Sequence, residues 1–314
     1  FIFYLLLGGI VGCFLLIRKK RFLAKHAFYW ALFLAVLMIA SQLNNFPHLW
    51  MYYNTALPVS SFVLSYLTQI LIGFLQTFFI LFITISAAES LGRYAFPHHI
   101  QFWKLFKHDA PASREVFGQT LAGYLTAPAK VGWGIGTFLF LTTMFGWFSP
   151  ASPIVDPNIL ASYFPWLNPF SMALFAGFRE ECAFRAIPLA GAVLLGRKLK
   201  KEKPVLWIAI VLQAVIFAAA HANYPMQPSY FRIVEMLPMS ICWGVLYVMY
   251  GLLPTIIMHW IYDLILMSIP LFTSSAPGMW KQQAIIIFLG LLPLLYTFLR
   301  RYALGHWFKL TNNY

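Results

Sequence analysis

Apolar runs of about 17 residues or more, the length a helix needs to cross a bilayer, recur along the whole chain and are separated by short polar connections. They predict helices near residues 1–17, 27–46, 61–88, 131–148, 166–195, 204–222, 233–251, 254–272 and 284–299. The fold class this pattern predicts is all-α, a polytopic integral membrane protein with about eight or nine transmembrane helices. The run from Phe1 to Ile17 is followed by Arg18, whereas a signal peptide would carry its basic residues before the apolar core. It reads as a span. Because the sequence opens at Phe1 without an initiator Met, the N-terminal flank of that span is expected to be missing, as in a truncated or processed product.

Composition agrees with the pattern. Of 314 residues, 61% are hydrophobic and 10% charged, against roughly 25% charged in soluble domains. Too little polar surface remains to coat a water-soluble chain, which excludes a soluble enzyme, a disordered tail and a disulfide scaffold. The three cysteines, Cys13, Cys182 and Cys242, lie in apolar stretches without CxxC spacing and read as small apolar fillers. The net charge of +13 raises nucleic acid as a partner, but the placement of the charges speaks against it.

Alternate loops collect Arg18, Lys19, Lys20, Arg21 and Lys25, then Arg93, Lys104, Lys107, Arg114 and Lys130. The same side receives Arg197, Lys198, Lys200, Lys201 and Lys203, then Arg300, Arg301 and Lys309, while the opposite loops hold Arg232 and Lys281. This segregation predicts an outside N-terminus, a cytoplasmic C-terminus and no nucleic-acid partner. The segment Glu89 to Lys130 mixes charge with Phe102, Trp103, Leu105 and Phe106, the composition of an interfacial amphipathic helix on anionic membrane lipids; a disordered basic loop is the other reading. Gly132 and Gly136 form a GxxxG pair whose expected role is close helix packing.

Charges inside hydrocarbon cost roughly 2.5 to 3.5 kcal/mol each, so intramembrane ionisable residues are candidates for function. The acidic residues and histidines within the predicted spans are Glu180, Glu181, Asp263, His221 and His259, with Glu235 at a span edge. In Arg179-Glu180-Glu181-Cys182-Ala183-Phe184-Arg185, the i, i+4 spacing lets Glu181 and Arg185 neutralise each other, and leaves Glu180 without an obvious partner. One buried ion network that holds helices together is the alternative. Phe217 stands one helical turn before His221, and His259 one turn before Asp263, which can orient the ring or share its ligand duty. Glu180, His221 and the His259–Asp263 pair thus come from three helices. They form a set suited to an open zinc site or to water activation.

The order EExxxR, FxxxH, then HxxxD on successive spans resembles the CPBP intramembrane metalloproteases, also called the Abi or CAAX prenyl endopeptidase family. Here the motifs read Glu180-Glu181-Cys-Ala-Phe-Arg185, Phe217-Ala-Ala-Ala-His221 and His259-Trp-Ile-Tyr-Asp263, within residues 166–272. The resemblance implies a protease core over 131–314, preceded by N-terminal spans and the interfacial segment over 1–130. It implies that Glu180 is the essential carboxylate and that His221, His259 and Asp263 complete the site, the last position being Asn in many relatives. It also implies a bacterial inner membrane and leaves the substrate open, between prenylated CAAX proteins and peptides matured or resisted by the cell.

The expected activity is hydrolysis of a peptide bond in a membrane-tethered protein or peptide. Glu180 is the expected general base, Glu180, His221, His259 and Asp263 the zinc ligands, and Glu181 with Arg185 the supporting pair. In a metal-free glutamate mechanism, Glu180 and His221 would activate water while His259 and Asp263 stabilise the oxyanion. A proton-coupled transporter or non-catalytic scaffold would use the same groups as a relay. Transporters often show two similar halves, and the buried polar residues here lie in the second half without a repeat. Depth sets one further expectation. His259 is five residues past Pro254, so the uncharged turn Gly251-Leu-Leu-Pro254 must stay submerged, buried in protein or lining a wet cavity.

Overall fold

The computed structural model describes residues 2–19, 21–107, 109–149 and 155–310. Among them, helical rods occupy all nine predicted places, and no strand is present beyond two isolated bridges. The rods are α1 (Ile2–Arg18), α2 (Lys25–Asn44), α3 (Val59–Ala95) and α4 (Arg114–Phe145). Rod α5 runs through Leu167–Glu180, the π-helical turn Glu181–Ala186 and Ile187–Lys198. The remaining four are α6 (Glu202–Ala219), α7 (Phe231–Tyr250), α8 (Leu252–Met267) and α9 (Met279–Leu304). Five of these, α2, α3, α6, α7 and α9, are long and apolar enough to cross a membrane on length and composition alone. Their exposed faces carry large apolar side chains, among them Leu64, Leu71 and Phe79 on α3 and Phe288, Phe298 and Leu299 on α9. A soluble protein does not tolerate such faces, and a bilayer requires them. The chain is an all-α polytopic membrane protein.

Rod α8 is the axis of the bundle. Twelve of its sixteen residues are buried, and it packs against α4, α5 and α7. It begins directly after Gly251, whose φ of +86° suits glycine alone, and a Cβ there would stand 3.1 Å from the ring of His99. The submerged turn is thus buried in protein, beneath the segment joining α3 to α4, where His99 Nε2 meets the Val248 carbonyl at 3.0 Å. On the other flank Gly123 lets α4 approach closely, since a Cβ there would lie 2.8 Å from Ile257 and 2.9 Å from the Pro254 carbonyl.

Cross-bonds between connections define the two ends of the bundle. At one end Arg197 donates to the carbonyls of Tyr94 and Ala95, and Phe308 N–H donates to Ala112 O. At the other, Asn44 bonds Phe164 through both backbone groups, and Phe148 pairs with Gln227. Arg18, Arg197, Lys200, Lys201 and Lys309 lie at the first end, as alternating loops require.

Three expectations are corrected. No interfacial helix runs from Glu89 to Lys130, because α3 extends to Ala95 and α4 starts at Arg114, leaving short turns between. Phe102 and Leu105 are buried there, Phe102 packing edge-on against Phe178 and near Trp30; Phe106 is exposed, while the side chain of Trp103 and residues Lys20 and His108 lie outside the described residues. Lys130 is no loop residue. It sits midway along α4, 7% exposed, and position 130 interrupts no helix. Finally, Gly132 and Gly136 face open space rather than a packed partner. Of the cysteines, Cys13 and Cys182 are buried and Cys242 is exposed.

Candidate active site

The site begins with a break in helical geometry. Pro188 has no N–H to give the Phe184 carbonyl four residues earlier, and its ring crowds that oxygen. The wider π-helical turn Glu181–Ala186 relieves the conflict immediately before it. Glu180 and Glu181 sit at the junction. Inside the turn, Glu181 Oε1 lies 3.4 Å from Arg185 Nη1, both side chains fully buried. The guanidinium stands 3.7 Å from the ring centroid of Phe217 and 5.0 Å from that of Trp243, and its Nη2 donates to Ser240 Oγ at 3.3 Å. Phe217 therefore supports Arg185 as well as preceding His221 by one turn.

Each histidine is fixed through Nδ1. At the end of α6, the backbone N–H of His221 turns to Ala218 O at 3.1 Å, which leaves the Phe217 carbonyl for the His221 ring, whose Nδ1 lies 2.8 Å away. On α8, His259 Nδ1 donates to Glu181 Oε1 at 2.6 Å. These acceptors assign the proton to Nδ1 in both rings and direct both Nε2 atoms inward. The His259 ring is oriented by Glu181 rather than by Asp263, because Asp263 Oδ2 lies 3.5 Å from the inward Nε2.

Between the two rings stands Glu180. Its Oε1 accepts from Arg179 Nη2 at 2.6 Å, so the carboxylate is not without a partner, as sequence spacing suggested. Residues at i and i+1 do not ordinarily share a helix face, but here the long Arg179 side chain reaches the Glu180 carboxylate. Oε2 is buried without a hydrogen bond, 3.8 Å from His221 Nε2 and 3.7 Å from His259 Nε2. All six predicted residues, Glu180, Glu181, Arg185, His221, His259 and Asp263, are thus brought together.

A cavity of about 170 Å³ opens at this point, lined by Glu180, His221, His259 and Asp263 and also by Lys130, Arg179, Tyr224, Arg232 and Tyr262. Arg232 is paired with Glu235 at 2.7 Å. Spacing arguments missed Lys130, Arg179 and Arg232. One signal was present for Lys130, which is the only charged residue between Glu115 and Asp156. The cavity walls come from the N-terminal ends of α5 and α7, the C-terminal ends of α6 and α8, which lie in the half of the bundle away from the basic loops, and the middle of α4 at Lys130.

Among the described residues, no group of three or more His, Cys, Asp or Glu has the spacing of a preformed metal centre. The donor set nevertheless fits one. Two ligands at 2.0–2.1 Å on tetrahedral zinc stand about 3.3 Å apart, and the separations among Glu180, His221, His259 and Asp263 are 3.5 to 3.8 Å where measured. A contraction of a few tenths of an ångström would bring the unbonded Glu180 oxygen and the inward nitrogens to that spacing. The same gap would admit a water at hydrogen-bonding distance, about 2.8 Å from each group.

No curated protein and no solved structure matches the chain. Residues 162–265, covering most of α5 through α8 and all three motifs, match the family described as Rce1-like, Type II CAAX prenyl endopeptidase Rce1-like. Over this segment, which contains the buried Glu/His cluster, the chain is similar to the CAAX prenyl endopeptidases.

Proposed function

We propose that the protein is an intramembrane endopeptidase that hydrolyses a peptide bond of a membrane-tethered protein or peptide. The observation that carries this reading is the Glu180 Oε2 atom, buried without a hydrogen bond and flanked at 3.8 and 3.7 Å by two imidazole nitrogens of fixed tautomer. A water seated there would donate a proton to Glu180 as its oxygen attacks the scissile carbonyl carbon. The tetrahedral oxyanion then collapses, the C–N bond breaks, and the Glu180 carboxyl returns the proton to the departing amine. His221 and His259 hold the water, while Arg179 fixes the other oxygen of Glu180. Glu181 keeps the His259 ring in register, with Arg185 balancing its charge.

Glu180, His221, His259 and Asp263 are also the residues that would hold a zinc ion. Bound there, zinc would lower the pKa of its water and polarise the substrate carbonyl. The roles of Glu181, Arg185 and Arg179 are the same with or without it.

The basic end of the bundle supports a cytoplasmic C-terminus. Because the cavity lies in the opposite half, substrate enters from the non-cytoplasmic side or leaflet. Cleavage of a membrane-tethered peptide library in proteoliposomes tests the whole reading. Glu180→Gln keeps the shape and the Arg179 contact but removes the base, so cleavage should vanish while the variant remains folded. Wild-type cleavage by Glu180→Gln would refute the assignment.

A further inference from the structure

An oxyanion that forms in this cavity meets a difficulty. Asp263 stands on the cavity wall with Oδ2 3.5 Å from His259 Nε2, and an ionised carboxylate repels a developing negative charge rather than stabilising it. A cation must face the same space. Arg179 is committed to Glu180 at 2.6 Å and Arg232 to Glu235 at 2.7 Å. Lys130, from α4 and outside the family-matched segment, lines the cavity too. Its ammonium is held by ring faces, 3.3 Å from the centroid of Tyr262 and 4.0 Å from that of Trp243. Asp263 lines the same cavity.

We propose that Lys130 is a further catalytic residue of this site, its ammonium stabilising the oxyanion of the tetrahedral intermediate. The inference rests on the endopeptidase reading above. As the hydroxide formed by proton transfer to Glu180 adds to the carbonyl carbon, the C=O electron pair moves onto oxygen, and Lys130 faces that charge without giving up its proton. Collapse re-forms the C=O bond and expels the amine. Three features suit Lys130 to the task. It is buried, so its field is weakly screened. The aromatic cage holds it in place before the reaction, so little reorganisation is needed. The cavity, smaller than the roughly 300–1,000 Å³ of ordinary ligand pockets, gathers Lys130 with Glu180, His221, His259 and Asp263 around one small space.

The test compares the wild-type protein with Lys130→Met, Lys130→Arg, Glu180→Gln and the double variant Lys130→Met/Asp263→Asn, on the membrane-tethered peptide library in proteoliposomes. Lys130→Met is expected to lower kcat about 10²- to 10³-fold with KM within about twofold, the signature of an interaction made only in the transition state. Lys130→Arg should keep most of kcat. Lys130→Met with wild-type kcat, or with its loss in KM alone, would overturn the proposal. Recovery of kcat in the double variant would overturn it as well, because Lys130 would then act by neutralising Asp263. If Lys130→Met fails to fold, Lys130→Gln takes its place, and failure of both assigns Lys130 to structure alone. Glu180→Gln separates the two levels. When it is inert and Lys130→Met is fully active, only the Lys130 role falls; when it cleaves like the wild type, the endopeptidase mechanism falls with it.

Discussion

Replacing Arg185 by Ala tests the most deeply buried part of the site. Arg185 and Glu181 are both 0% exposed with 3.4 Å between Nη1 and Oε1. At that distance and an effective dielectric constant of about 20, the attraction is about 5 kcal/mol, offset by the desolvation of both ions. Arg185→Ala removes the attraction and leaves Glu181 desolvated, with the His259 N–H still bonded to it. Breaking such a pair from one side costs roughly 3–5 kcal/mol, about a fifth or more of the 5–15 kcal/mol that holds a typical domain together. The guanidinium also leaves the face of Phe217, so the floor beneath His221 loosens. The measurement is the folded fraction after detergent extraction, together with the thermal midpoint in the same detergent. Arg185→Ala should fall sharply in both. Replacing the whole pair, Glu181→Leu with Arg185→Met, should recover much of the stability, since no unpaired charge remains, yet stay inactive because His259 has lost its Nδ1 acceptor. If Arg185→Ala is stable to within about 0.5 kcal/mol of the wild type, the size of an ordinary surface substitution, the energetic argument is wrong.

Four other outcomes are expected. In a background with Cys242→Ser, a membrane-impermeant thiol reagent should reach cysteines placed at Lys107 and Lys200 from the cytoplasmic face and one at Asp156 from the other; labelling of positions 107 and 156 from one side would remove α4 as a span. Gly123→Ala should cost about 1–3 kcal/mol, because its Cβ would press on Ile257 and the Pro254 carbonyl, and an unchanged thermal midpoint would contradict this close contact. His99, in the connection between α3 and α4, is pushed down to about 4 by burial. Its unfolded form, near 6.5, takes up a proton first as pH falls, so stability present above pH 6.5 is lost between about 6.5 and 4, by about 2 kcal/mol at pH 5. His99→Phe should flatten that slope in denaturation curves, and an identical slope would reject the assignment. For zinc, the purified active protein should contain about one equivalent, reduced in His221→Ala and His259→Ala; metal-free protein that stays active against strong chelators would leave Glu180 to work alone.

How much of this was legible in the sequence depends on the kind of signal each feature leaves. Rods α2, α3, α6, α7 and α9 face lipid on one side, so their length and apolar character announce them. The six motif residues are legible because spacings of three or four set side chains on one helical face, and a charge is too costly in hydrocarbon to stand there without a use. The orienting bond from His259 to Glu181 was not legible. It joins residues 78 positions apart, whereas Asp263 stands at the tempting i, i+4 spacing. The Arg179 contact joins neighbours at i and i+1, a spacing that helical faces do not pair, and the π-turn ahead of Pro188 is not anticipated by a helix of 3.6 residues per turn. The interfacial helix was misread because Phe102 and Leu105 pack into the protein core, Phe102 against Phe178 and Trp30, and an apolar lid on protein has the same composition as an apolar face on lipid.

Lys130 shows why charge counting needs burial beside it. As one of eighteen basic residues assigned to one side, it adds a little to a topology that the remaining seventeen already fix. Taken as a buried residue, it lies 16 positions into α4, about 24 Å from the start of that helix, too deep for its ammonium to reach the headgroups. A lysine at such depth costs several kcal/mol unless rings and a nearby carboxylate hold it. Tyr262 and Trp243 supply the rings and Asp263 lines the same cavity, and Tyr262 and Asp263 both come from α8, the rod that also presents His259. The close approach of α4 to α8 at Gly123 brings the cation to the site, so a packing glycine two turns away bears on the chemistry. Gly123→Ala should therefore lower cleavage in the same direction as Lys130→Met, through a shift of α4 rather than through loss of charge. Its effect should shrink when it is combined with Lys130→Met, since the displaced cation is then already gone.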